Sequence, residues 1–120
     1  MTPEELEDRL INYAVRIIEM SADIKKNYAG NHLSNQIVRS GTSPALNYGE
    51  ARSAESRKDF IHKVKIILKE LRETLICLKL IKRTNLFNKD IVILDSLLSE
   101  SNELISIFVT SSKTAQNNRL

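Results

Sequence analysis

Ser56, Asp59 and His62 stand at three-residue steps along one helical edge, and serine, aspartate and histidine are the side chains of a hydrolase triad. Asp59 and His62 are within reach of each other at that spacing. Ser56, however, directly precedes a helical pattern, where its hydroxyl serves as an N-cap. No glycine-rich turn offers an oxyanion hole, and working triads draw their members from separate elements. Metal chemistry is no better supported. His32 and His62 are far apart, and Cys77 lies among Leu75, Ile76 and Leu78 as a small apolar residue of a core or interface. There is no Glu-x-x-His pair for a di-iron bundle, no phosphate loop and no dinucleotide fingerprint. The chain reads as non-enzymatic, with no cofactor and no metal.

A second cluster is harder to explain as packing. Arg39, Ser43, Asn47, Tyr48, Glu50 and Arg52 fall at or near three/four spacing, in a stretch short of large apolar residues. If Asn47 and Glu50 are buried they need partners, since an unpaired buried carboxylate is costly. Arg39 and Arg52 are the nearest candidates. Two readings stand: a buried polar network that sets helix register or subunit packing, and a ligand-contacting patch.

The elements that must position these residues are helices. The chain has 120 residues, 42% hydrophobic and 28% charged, with three Gly, two Pro and no Trp. That composition suits one all-α domain. The first stretch opens on Thr2-Pro3-Glu4-Glu5, an N-cap, a first-position proline and a capping-box glutamate. Leu6, Leu10, Tyr13, Ala14, Ile17, Ile18, Ile24 and Tyr28 mark its buried side, and Gly30 its C′ stop. The second stretch runs from near Asn31 to about Ala51, with a kink or break expected near Gly41-Pro44; a break would make Ser43 a cap. The third runs from about Arg57 to Arg83, with Ser56 as its cap and Ser53 as the competitor. Its apolar rows, Phe60-Val64-Ile67-Leu71-Leu75 and Ile61-Leu68-Leu75, are wider together than one helix seam needs. The fourth starts near Asn88-Lys89-Asp90, and Ile91, Leu94, Leu97, Leu98, Ser101, Leu104, Ile105 and Phe108 mark its buried side. Short connections predict an antiparallel up-down-up-down four-helix bundle over 1–112, followed by a flexible polar tail over 113–120.

Charge is segregated along these stretches. The net charge is only +3, yet from Met1 to Ile24 six acidic residues face two basic ones, net −4. From Arg52 to Arg83 ten basic residues face four acidic ones, net +6. A solvated, partly neutralised face is one reading. The other is a phosphate-binding surface built on Arg39, Arg52, Arg57, Lys58, Lys63, Lys65, Lys69 and Arg72. No aromatics interleave these cations, so contact would be to backbone and weakly sequence-specific. No apolar run spans a membrane, the N-terminal residues are acidic where a signal peptide is basic, and the lone cysteine suits a reducing cytoplasm.

The run from Gln36 to Lys63, continuing through Leu68-Lys69-Glu70-Leu71-Arg72-Glu73-Thr74, resembles the bacterial four-helix-bundle family first noted in intervening sequences of large-subunit ribosomal RNA genes. Gln36, Arg39, Ser43, Asn47, Glu50, Ser56, Arg57 and the pair Asp59-Phe60 carry the likeness. One departure is Asn47-Tyr48-Gly49-Glu50-Ala51, where many members read N-x-A-E-G, so the helix is expected to end differently. The resemblance covers almost the whole chain. It implies a homo-oligomeric ring of five, in which Gln36, Arg39, Ser43, Asn47, Glu50, Ser56 and Asp59 form a structural or interface network. A related branch serves diversity-generating retroelements, which implies RNA or DNA and a reverse transcriptase as possible partners. The expected function is therefore a homo-oligomeric bundle that binds nucleic-acid backbone, with a protein-interaction scaffold as the alternative.

Overall fold

Each helix begins where a side chain takes up an orphan amide. Thr2 Oγ1 accepts the Glu5 N–H at 3.1 Å, with Pro3 at the first position of α1 (Pro3–Ser21). Asn27 Oδ1 accepts the Gly30 N–H at 2.8 Å and opens α2 (Tyr28–Arg52). Ser56 Oγ accepts the Asp59 N–H at 3.0 Å and opens α3 (Arg57–Arg83). Asp90 Oδ1 accepts the Val92 N–H at 3.0 Å beside α4 (Ile91–Asn117). This computed structural model describes residues 1–117. Residues 113–117, placed by the sequence in a polar tail, continue α4; residues 118–120 lie outside the described residues.

The helices run up-down-up-down in a rod of 51 × 23 × 21 Å, and no described residue belongs to a β-strand. Chain neighbours pack together, α4 returns to α1, and α1 and α3 occupy opposite corners. The core runs along the axis, with Leu10, Ile17, Ile37, Ile67, Leu71, Leu78, Leu94, Leu97 and Phe108 fully buried. Its middle layer is not apolar. The Tyr13 hydroxyl of α1 lies 2.5 Å from Ser101 Oγ of α4, and Ser101 in turn donates to the Leu97 carbonyl at 2.7 Å. The Thr74 hydroxyl of α3 lies 2.9 Å from Ser40 Oγ of α2. Two buried hydroxyl pairs thus join α1 to α4 and α2 to α3. Burial pushes the Tyr13 phenol up to about 12, against the Ser101 hydrogen bond that favours its ionised form.

Three expectations about α1 and α2 are corrected. Gly30 is not a helix stop; it is the third residue of α2. A Cβ there would lie 1.8 Å from the Lys25 carbonyl oxygen, so the loop folds back where only glycine fits. Tyr28 and Ile18 are exposed rather than buried. Of the kink or break expected near Gly41-Pro44, the break does not occur, since α2 is continuous across Pro44 and Ser43 caps no helix. Contacts on both flanks hold the helix: Ser40 meets Thr74 of α3, while Gly41 packs on Ile17 of α1. The Ser40 carbonyl forgoes an N–H partner at Pro44.

The α1–α2 and α3–α4 loops pair at one pole of the rod. Lys25 N donates to the Leu86 carbonyl at 2.7 Å, and Asn88 N to the Asp23 carbonyl at 2.9 Å. Asn85, at φ 55°, ends α3 in the left-handed region. Its N–H reaches the Lys82 carbonyl and that of Leu86 reaches Ile81, a Schellman stop with asparagine in glycine's place. No helix among the described residues is long and apolar enough to cross a membrane.

Candidate nucleic-acid interface

α3 buries Val64, Ile67, Leu71, Thr74, Leu78 and Ile81, so its opposite side faces outward. On that side Lys58, His62, Lys65, Lys69, Arg72, Ile76, Lys79 and Arg83 alternate at steps of four and three, and all eight are exposed. They form one stripe along the whole helix, about 38 Å from end to end at 1.5 Å per residue. Among the described residues, Lys58, Lys65, Lys69, Arg72, Lys79 and Arg83 carry no ion-pair partner.

The flanks of the stripe are neutralised. Toward α2, Lys63 Nζ sits 3.0 Å from Glu50, and Arg39 Nη1 sits 3.2 Å from Glu70 while its other terminal nitrogen pairs with Glu73. Toward α4, Lys82 Nζ sits 2.6 Å from Asp95. The unpaired positive charge is therefore one helix wide. It lies diagonally across the bundle from α1, whose Glu4 and Glu7 are joined to Arg52 at 2.9 and 3.2 Å.

These contacts sort the cations singled out by sequence. Lys58, Lys65, Lys69 and Arg72 belong to the stripe. Arg39, Arg52 and Lys63 are tied to carboxylates of the same chain. Arg57 lines a cleft at the α3 N-terminus. The sequence list omits Lys79, Arg83 and His62, although the four/three alternation already marks them as the same face.

The proposed polar network is dispersed. Asn47 Nδ2 donates back along α2 to Ser43, at 2.8 Å to Oγ and 3.0 Å to the carbonyl. Glu50 is exposed and pairs with Lys63, and neither Arg39 nor Arg52 serves it. Ser56 and Asp59 make a helix cap, and Gln36 is half-buried. The Ser56 hydroxyl is thus engaged, and no hydrogen bond joins Asp59 to His62 among the described residues. No group of three His, Cys, Asp or Glu side chains among them is placed to hold a metal ion. Cys77 is buried, and burial raises its thiol pKa. The buried hydroxyls pair instead as Tyr13 with Ser101 and Thr74 with Ser40. A signal for these pairs exists in the sequence, because Thr74 and Ser101 interrupt the apolar rows Leu71-Leu78 and Leu97-Leu104.

The fold has a counterpart in a known protein. A crystal structure of a protein of unknown function from the S23 ribosomal protein family of Bacteroides thetaiotaomicron superposes with a TM-score of 0.82 at 34% identity, over 94% of this chain and 99% of that one. No curated protein matches the chain. The model of the 23S rRNA-intervening sequence proteins matches residues 6–109, which takes in all four helices. The chain is therefore a member of the 23S rRNA-intervening sequence protein family.

Proposed function

We propose that this bundle binds RNA or DNA through the phosphate backbone, without catalysing a reaction. The observation that carries the reading is the unpaired cationic stripe along α3. Six Lys and Arg side chains in one row displace counterions from a phosphate chain, whereas scattered or paired cations do so poorly. With no aromatic in the row, affinity comes from charge and not from base stacking. The family description supports a role near nucleic acid.

The test is fluorescence anisotropy with duplex and single-stranded oligonucleotides across a salt series. Binding is expected to weaken as salt rises, each phosphate contact adding about −0.9 to the log–log slope for duplex or −0.7 for single strands. Replacing Lys69 and Lys79 with glutamine should make the slope shallower by about 1.5. Absence of binding at low salt, or binding indifferent to salt, refutes the reading.

Self-association is part of the same proposal. Ile11, Val15 and Ile18 form an exposed apolar row on α1, 44–49% accessible in this single chain. Covering such a row is the usual reason for a small bundle to assemble, and a ring of five is the number suggested by the family resemblance. Light scattering at micromolar concentration is expected to show a closed oligomer. A second reading, a scaffold that docks a protein such as a polymerase, is favoured by Ile76 and Leu80, which are exposed within the basic face. Capture of a specific protein after nuclease treatment would support it.

A further inference from the structure

At the pole away from the paired loops, the basic stripe runs into a cleft of about 640 Å³. It is lined by Arg57, Lys58, Ile61, His62 and Lys65 of α3 and by Gln116 of α4. Two kinds of surface meet there: Ile61 with the aliphatic stems of the basic residues is apolar, and Lys58 and Lys65 bring positive charge. The acidic residues nearest in the chain, Glu55 and Asp59, do not line the cleft.

Internal phosphates of a nucleic acid carry one negative charge each, and a terminal phosphomonoester carries close to two at neutral pH. A cleft that combines cations with apolar surface would favour the monoester, the extra charge being met by Lys58 and Lys65 and the base by Ile61. Lys69, Arg72, Lys79 and Arg83, farther along the stripe, do not line it. We infer that the cleft holds a terminal nucleotide bearing a phosphomonoester. The inference rests on the nucleic-acid reading for the strand that leads to the cleft, and on the cleft itself for the phosphate.

Three oligonucleotides of one sequence, ending in a 5′-phosphate, a 3′-phosphate or hydroxyls only, are compared by anisotropy at fixed salt. One phosphorylated end is expected to bind at least about five-fold tighter than the hydroxyl end. The double substitution Lys58→Gln with Lys65→Gln should abolish that ratio. Lys69→Gln with Lys79→Gln, farther along the stripe, should weaken all three oligonucleotides alike and keep the ratio. All four lysines are exposed, so folding is monitored simply by helical circular dichroism. A second measurement follows the His62 imidazole by NMR during titration with a nucleoside monophosphate and with the bare nucleoside. A shift with the monophosphate alone supports the cleft even if no oligonucleotide binds, and then assigns it to a free nucleotide. Equal affinity for all three ends together with an unmoved His62 overturns the inference, and leaves the stripe standing if salt-dependent binding persists.

Discussion

Replacing the Tyr13 phenol with phenyl removes the proton donated to Ser101 and leaves a buried hydroxyl short of one partner. Tyr13→Phe is expected to lower stability by about 1–2 kcal/mol in urea unfolding at neutral pH. The pH dependence of that difference is a sharper test. The phenol titrates at about 12 in the fold against 10 ordinarily. Between those values the unfolded chain releases the proton while the folded chain keeps it, so stability falls as the pH rises through this window. The phenylalanine variant lacks this loss, and the gap between the two proteins should narrow from about pH 10 upward. Two glycines of α2 make opposite predictions. A Cβ at Gly41 would meet Ile17 Cγ2 at 2.8 Å, and one at Gly49 finds its nearest neighbour, Glu7 Oε1, at 3.9 Å. Gly41→Ala should therefore destabilise by about 1–3 kcal/mol, and Gly49→Ala should stabilise by about 0.5–1 kcal/mol, since a helix interior gains from alanine. Thermal melts of the two variants give the signs directly. Gly49 lies inside α2, which runs on past it to Arg52.

At the scale of the element, α1 and α3 could be read from the sequence because their start signals are local. Thr2-Pro3 and Ser56 lie next to the amides they cap, and the three/four apolar spacing does the rest. α2 was harder to read because its packing uses small residues. Ser40, Gly41, Pro44 and Ala51 are buried, and the low bulk lets α1 and α3 approach closely on either side. A pattern search for large apolar residues sees little there, and a proline within it suggests a break that neighbouring helices prevent. The Asn27 cap went unread for a related reason. Gly30 looks like a stop until the Lys25 carbonyl is seen lying against it, a contact fixed by the fold of the loop. The candidate site was half legible: the basic character of α3 is plain from composition, but which cations are spent on ion pairs depends on the carboxylates of facing helices. Arg39, Arg52 and Lys63 each meet a glutamate of another helix or of the next one in the chain, and sequence spacing does not reveal such pairs.

In the whole molecule the acidic and basic helices stand at opposite corners, and the two poles differ as well. One pole is tied by backbone hydrogen bonds between loops that enclose Ile24 and Leu86. The other holds the short 53–56 turn, the start of α1 and the end of α4, with no such cross-tie among the described residues. Exchange of amide protons with solvent should therefore be graded along the rod. Protection is expected to be highest near Leu78, Ile81 and Leu97 and lowest around Leu6, Ile61 and the last turns of α4, as in a zip fastened at one end only. The loose end is also the end that carries the cleft. A nucleotide seated there would act as the missing fastener, slowing exchange at that pole while leaving the other unchanged.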